Sequence, residues 1–377
     1  MSSFAVQLTG TTNVAFSTIS MKKLQRKGTA DQSAKRALRS PPLSRFSGAL
    51  FREWKRLDLP ANARVVIAVS GGADSVALLL SIDELIKSGR LKLEIFVAHL
   101  DHRLRGKASD VDARWVEALT RELGHTAKIG RIDVKNRAAK TGDNLEQAAR
   151  RARYEFLEKT AQSVQAKVIV TAHTMDDQAE TVLLNLLRGS GAGGLGGVEP
   201  VRRLAASSEI LLARPLLSWA LRQDTENYCR LRAVDFRTDA MNIDEKFARV
   251  RVRRQLLPLM QTFNPKLVAG LTRTAELLRE DVRALDRGAA RLLELSLEPG
   301  MDAQTLRFDL LAASPPALRR RALRLWIEQC RGDLKRVERV HIAALERMVL
   351  GERGGRVIEL PGGAKISRKR GLLQFTC

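Results

Sequence analysis

The segment Ser70-Gly71-Gly72-Ala73-Asp74-Ser75 follows an apolar run and opens a helical pattern. In that position its backbone N–H groups and the helix dipole can face an anion. The glycines allow the backbone to approach phosphate oxygens closely, and Ser70 and Ser75 add hydroxyl donors. Asp74 is out of place in a simple anion pocket, but it fits if a Mg²⁺ ion sits between carboxylate and phosphates. The segment has neither the Gly-Lys-Ser/Thr ending of a Walker A loop nor the Gly-x-Gly-x-x-Gly dinucleotide pattern. The competing reading is a strand-to-helix turn in which Gly and Ser serve geometry alone.

A second constellation is Thr171-Ala172-His173-Thr174-Met175-Asp176-Asp177-Gln178-Ala179-Glu180-Thr181. His173 falls at the carboxyl end of a predicted strand, where open α/β sheets place their ligands. Asp177 and Glu180 stand three apart on one helix face and, with Asp176, form a dense negative patch that calls for a positive group. Against a functional role, Thr174-x-x-Asp177 also reads as a capping box, and first-turn acids are favoured by the helix dipole in any protein. His99 and His102 end another predicted strand and could line the same pocket. Arg150, Arg151 and Arg153 make one helix basic; by default such a run is a solvated face.

These groups need a scaffold that brings strand ends together. Arg64 to Val69 is a short β-branched run of the kind buried in parallel sheets. A helix over Ser75–Ser88 follows, then a strand at Leu91–Leu100 and a helix near Asp110–Gly124. A strand at Ala127–Val134, a helix at Asn144–Gln162, a strand at Lys167–Thr171 and a helix to Arg188 complete the series. This alternation predicts an α/β fold with a doubly wound parallel sheet covered on both faces. Residues 189–197 are glycine-rich and read as a flexible loop. A helix over Pro215–Ala233 and a strand at Val234–Phe236 are expected next. Four regions result: a basic extension at 1–45, the α/β domain at 46–246, a smaller, mainly helical domain at 247–350, and a β-rich basic tail at 351–377 that suggests a hairpin.

The bulk composition narrows the partners. Lys and Arg number 65 against 42 Asp and Glu, a formal charge of +23, which favours a polyanion such as nucleic acid. Aromatics are only 5%, so stacking on an aromatic platform is a poor fit and charge and shape should dominate. Cys229, Cys330 and Cys377 form no Cys-x-x-Cys pair, which leaves zinc or an iron–sulfur cluster without a ligand set. No apolar run approaches the roughly 18–20 residues that span a bilayer. Residues 1–30 carry no acid and mildly resemble a transit peptide. A floppy extension with Met21 as an alternative start is preferred, and a cytoplasmic location is expected.

The Ser-Gly-Gly-x-Asp-Ser loop is similar to that of the N-type ATP pyrophosphatases, the superfamily of GMP, NAD and asparagine synthetases and of tRNA thiolases. The loop alone goes no further. Three segments, Val97 to Arg105, Arg150 to Leu157 and Thr171 to Thr181, with Arg188-Gly189-Ser190-Gly191 following, together resemble the bacterial tRNA(Ile)-lysidine synthetases. The likeness runs closely from Phe46 to Met260 and loosely beyond. It implies an adenine nucleotide α-hydrolase-like fold for 46–246 and a tRNA-binding role for 247–350. It implies ATP and Mg²⁺ at Ser70, Gly71, Gly72, Ala73, Asp74, Ser75 and His99, with Asp74 as metal ligand. It further implies a CAU-anticodon isoleucine tRNA and L-lysine as substrates, with the lysine ammonium answering Asp177 and Glu180. His173, Asp177, Glu180, Asp74 and Arg249 become the catalytic candidates, and Arg150, Arg151, Arg153 and Arg251 the tRNA contacts. Phe247 to Pro258 and Asp239 to Asp244 resemble another family segment, except that Val250 stands where the family has Asn. Arg249 is favoured over Arg251 as the arginine facing the site. Members of the family often carry a longer C-terminal region, so tRNA discrimination by the tail is left open, as is a homodimer. Two rivals are a tRNA thiolase, for which cysteine pairs are wanting, and a non-catalytic nucleotide-regulated RNA binder.

Overall fold

The computed structural model describes residues 43–103, 107–205, 208–237, 248–351 and 357–376. The extension at 1–42 and the segment Asp239 to Asp244 lie outside them. The α/β domain begins with helix α1 (Arg45–Arg56), then β1 (Asn62–Ala68), α2 (Ala73–Lys87), β2 (Lys92–Asp101), α3 (Lys107–Glu122) and β3 (Thr126–Arg131). It continues through α4 (Val134–Thr141), α5 (Leu145–Ser163), β4 (Val168–Val170), α6 (Met175–Leu187), α7 (Ala192–Leu195), β5 (Val201–Arg203), β6 (Leu211–Ala213) and α8 (Arg222–Leu231). The strand order is β3-β2-β1-β4-β6-β5, parallel except for β5, which runs antiparallel on β6.

Alternation within β1 explains the two-sided core. Val65 and Ile67 join one buried cluster with Leu78, Leu79 and Trp54, while Val66 joins the other with Ala98, Leu157 and Ile169. Because β1 lies between β2 and β4, the winding reverses direction there. Open α/β sheets bind ligands in the crevice at that reversal, beyond the carboxyl ends of the strands. The carboxyl ends of β1 and β4 carry the Ser70 loop and the His173 segment, so the topology sets the two candidate constellations side by side.

Helix α8 is fastened along α2. Thr225 meets Asp74 at one end, and Tyr228 donates to Glu84 at 2.7 Å further along. Glu84 also accepts from the Ser44 backbone N–H and from Ser47, and these donors outweigh the effect of burial and hold its carboxyl below the usual range.

Three local expectations change. Val234–Phe236 is not a strand: both apolar side chains pack on the core, but the backbone N–H of Arg237 goes to the Gly71 carbonyl at 2.9 Å instead of a sheet ladder. Strands β5 and β6 were not foreseen, being three residues each and too short for a periodic signal. The glycine-rich stretch contains the single-turn helix α7, so it is only partly loop.

The remainder starts with α9 (Ala248–Arg251), a π-helical turn (Val252–Leu256) and α10 (Leu257–Phe263). The helix widens just before Pro258, whose ring and missing N–H disfavour a regular α turn. Helix α11 (Leu267–Ser296) then leads to β7 (Thr305–Arg307), α12 (Asp309–Ala313), α13 (Pro316–Arg331), α14 (Arg339–Leu350), β8 (Val357–Glu359), β9 (Lys365–Lys369) and β10 (Leu372–Thr376). The expected tail hairpin, which turns at Pro361-Gly362-Gly363, is β8–β9, and with β10 and β7 it forms a four-stranded antiparallel sheet ordered β7-β10-β9-β8. β7 comes from inside the stretch read as helical, and one core around Trp326 joins the helices to this sheet. Among the described residues no helix is long and apolar enough to cross a membrane.

Candidate active site at the sheet switch point

Gly71 has φ +94°, a left-handed conformation that a side chain would strain, so the turn after β1 needs glycine. Gly72 caps α2 without any side-chain bond, leaving the first-turn N–H groups to an incoming anion. Ser75 holds the turn: its hydroxyl donates to the Gly72 carbonyl at 2.9 Å and accepts from the Ser70 N–H at 3.1 Å. His99 is buried behind the loop with Nδ1 2.8 Å from the Val69 carbonyl oxygen. Burial pushes its pKa down, so it is a neutral ring that braces the end of β1. His102 follows at the rim of the same edge and is half-buried.

Asp74 projects from the first turn of α2. The Thr225 hydroxyl donates to it at 2.5 Å, and Arg222 lies 3.5 Å away. Burial pushes the Asp74 pKa up to about 6, against the opposing pull of Arg222 and Thr225. A half-buried carboxylate only partly offset by cations is a reasonable ligand for a further cation. Mg²⁺ in nucleotide sites is held by one or two carboxylates plus phosphate oxygens and water. Asp74 beside an uncapped helix start fits that donor set, and among the described residues no group of three acidic, His or Cys side chains offers a metal cage of its own.

The second constellation is dominated by arginine. Glu180 is completely buried and accepts from Arg249 Nε at 2.7 Å and from Arg253 Nε at 2.6 Å and Nη2 at 3.1 Å. Asp177 uses one oxygen to cap α6, accepting from the Thr174 N–H at 2.9 Å, and the other to accept from Arg249 at 3.0 Å. Arg222 reaches both carboxylates, at 3.7 and 3.9 Å, while its own N–H donates to Asp176 at 2.8 Å. Burial alone would raise the Asp177 pKa; Arg249, His173 and Arg222 outweigh it and bring it to about 2. The positive groups facing these acids are therefore arginines of the chain itself. Arg222 also ties this cluster to Asp74, making the loop and the acids one charged network.

His173 sits against that network with Nδ1 3.0 Å from the Thr171 hydroxyl. Burial, reinforced by Arg214, Arg249 and Arg153, lowers its pKa to about 3, so its ring is neutral near pH 7 and resists protonation. Of the basic candidates, Arg249 reaches the acids, whereas Arg251 on the same short helix is exposed. Arg150 lies over the Tyr154 ring, 5.1 Å from its centroid, and lines a cleft with His173. Arg151 pairs with Asp143 at 2.9 Å. Arg153 is exposed, and partial loss of solvent with Arg150 and Arg249 nearby lowers its pKa.

Sequence reasoning missed Arg222 and Thr225, and left Arg253 as an unresolved alternative to Arg249. Arg253 carried a weak signal, four residues after Arg249 and thus on the same face. Arg222 and Thr225 carried none, because their partner Asp74 is some 150 residues away along the chain.

A glycine loop with its helix start at the switch point of a doubly wound sheet defines a PP-loop protein, and residues 48–260 match the family described as the PP-loop domain. Residues 306–374 match the TilS substrate binding domain. A tRNA(Ile)-lysidine synthase from Geobacter sulfurreducens is 39% identical over 315 residues, covering 83% of this chain and 64% of that protein. The same-named protein of Symbiobacterium thermophilum is 37% identical, covering 84% and 66%, and that of Salinispora tropica is 36% identical, covering 89% and 96%. The chain belongs to the tRNA(Ile)-lysidine synthase family. It spans just under two thirds of the length of the first two relatives.

Proposed function

We propose that this chain ligates L-lysine to carbon 2 of the wobble cytidine in a CAU-anticodon isoleucine tRNA, giving lysidine and changing the codon read from AUG to AUA. The observation that carries the reading is the direct link through Arg222 between the loop carboxylate Asp74 and the His173, Asp177, Glu180 and Arg249 cluster. Nucleotide activation and amine attack then share one site.

ATP takes its place with its phosphates toward the N–H groups of Ser70 to Ser75. Mg²⁺, held at Asp74, would supply charge neutralisation for the phosphates. The cytosine carbonyl oxygen attacks the α-phosphorus and pyrophosphate leaves, its charge met by the loop N–H groups. The neutral ε-amine of lysine then attacks carbon 2 of the adenylated base; the carbon–oxygen bond breaks and AMP departs. The amine loses a proton in forming the new carbon–nitrogen bond, to one of Asp177, Glu180 and His173. Asp177 and Glu180 fix Arg249 and Arg253 beside that centre and offset their charge. Arg150, Arg151, Arg153 and Arg251 supply cationic contacts for the tRNA backbone, and the 306–374 region adds to substrate binding. The reading places the enzyme in the cytoplasm with its tRNA.

The test incubates the whole protein with unmodified isoleucine tRNA, ATP, Mg²⁺ and labelled lysine. One lysine should appear at the anticodon cytidine per pyrophosphate and AMP released. Absence of label there, or sulfur incorporation in its place, would overturn the reading.

A further inference from the structure

Asp74 is the only acid in the first turn of α2, and a carboxylate free to turn about its last torsion offers a cation no fixed geometry. Here each oxygen has a neighbour, but the two are of unequal strength. Oδ1 accepts from the Thr225 hydroxyl at 2.5 Å. Oδ2 faces Arg222 Nε at 3.5 Å, long beside the roughly 2.7–2.9 Å of a charge-assisted bond. Thr225 is completely buried, and its hydroxyl also lies 2.6 Å from the Arg222 carbonyl oxygen. One proton stands between two acceptors, and the ionised carboxylate is the stronger of them. A β-branched side chain in a helix has few χ1 choices, so this hydroxyl is a rigid post.

The helix that carries the post is itself held. Thr225, Tyr228 and Cys229 share one buried face of α8, and that face meets α2. Tyr228 donates to Glu84, and Cys229 Sγ lies 3.5 Å from the carbonyl oxygen of Ala73, the residue before Asp74. We propose that Thr225 is the positioning residue of the Asp74 metal site: it fixes the plane of the carboxylate and leaves Oδ2 as the oxygen offered to Mg²⁺. Arg222 neutralises Oδ2 at its longer distance and, with Asp177 and Glu180 as further partners at 3.7 and 3.9 Å, can yield that oxygen to the cation. The assignment rests on the reading of Asp74 as a ligand of Mg²⁺ in the ATP site, and adds to it a residue some 150 positions away along the chain.

The test compares wild type with Thr225→Val, Thr225→Ala, Thr225→Ser and Asp74→Asn in the whole protein. Val matches the shape of Thr without its hydroxyl, Ala gives the same loss without the added methyl, and Ser restores the hydroxyl. Mn²⁺ binding is followed by electron paramagnetic resonance in the presence of α,β-methylene-ATP, which cannot lose pyrophosphate. Thr225→Val and Thr225→Ala should each weaken Mn²⁺ binding about tenfold or more, the loss of one hydrogen bond to a charged group, and Thr225→Ser should stay within about threefold of wild type. Binding of the analogue without a divalent ion should change less than about twofold. In lysidine formation the Mg²⁺ concentration for half-maximal rate should rise in the same proportion, with the lysine KM unchanged. Mn²⁺ binding as in wild type in Thr225→Val and Thr225→Ala overturns the assignment. So does a Thr225→Ser variant no better than Thr225→Val, or an equal loss of metal-free analogue binding, which marks a merely structural role. A wild type whose Mn²⁺ binding does not depend on Asp74 overturns the metal reading and the assignment with it. A wild type that makes no lysidine, yet binds Mn²⁺ in a manner dependent on Asp74 and Thr225, overturns ligation while the assignment stands.

Discussion

Replacing Glu180 with Gln should weaken the protein far more than its one-atom change suggests. Glu180 is fully buried and accepts three charge-assisted bonds of 2.6 to 3.1 Å from Arg249 and Arg253. Removing its charge leaves Arg222, Arg249 and Arg253 facing Asp177, with Asp74 and Asp176 near Arg222 and Glu146 near Arg249 to offset them in part. Breaking a buried ion pair on one side costs about 3–5 kcal/mol. The Gln carbonyl can still accept one bond, so the lower end, about 3 kcal/mol, applies. For a domain of this size each kcal/mol lowers Tm by about 2–4 °C, which makes the expected fall about 6–12 °C. The assay is thermal melting by circular dichroism at pH 7 without ligands. Because Glu180 is buried, the difference should persist at high salt. Pairing the change with Arg253→Gln removes one cation with the anion and should recover about 1 kcal/mol or more. A fall under about 1 °C, or strictly additive losses in the double variant, would refute the claim that this network clamps α9 and the π-helical turn onto α6.

Asp74→Asn should act in the opposite direction on stability and abolish adenylation. Its folded pKa of about 6 lies above the ordinary 3.8, so the ionised group costs the folded state about 3 kcal/mol once pH exceeds 6. The wild type loses that stability as pH rises through this window. Melts at pH 8 should therefore show the Asn variant several degrees higher, and melts below pH 4 should show the two alike. For His173, a pKa near 3 means the ring is already deprotonated across the working range. The ligation rate should show no inflection from it above about pH 5, and His173→Gln should slow that step by about 10²–10⁴ while pyrophosphate release on ATP and tRNA addition persists. Single-turnover kinetics separates the two steps.

What the sequence made legible was local. The run Arg64 to Val69, the glycine pair and the helix after it lie within some 25 residues, so period and composition were enough. The π turn before Pro258 and the three-residue strands β5 and β6 have no comparable pattern. Val234 to Phe236 shows how a correct burial reading can mislead about backbone: apolar alternation follows from packing on the core, and the hydrogen bond to Gly71 depends on a loop far away in the chain. The two readings of Asp177, cap and functional acid, proved compatible because a carboxylate has two oxygens. One accepts from the Thr174 N–H and the other from Arg249.

The arginines, of which Arg222 was not foreseen in the sequence, explain how such acids could serve a polyanion under the proposed function. Asp74, Asp176, Asp177 and Glu180 taken alone would repel both ATP and a tRNA phosphate. With Arg222, Arg249 and Arg253 among them the four acids face three cations, and neutral His173 leaves the sum nearly balanced. In a low-dielectric crevice a near-balanced network attracts neither sign strongly, but it fixes each guanidinium in place. Arg222 contributes most to that order, since its backbone and side chain touch all four acids. Under the proposed function, a displacement of the loop at Asp74 would reach the acids beside His173 through Arg222, and nucleotide occupancy and the geometry of the attacking centre would be set together.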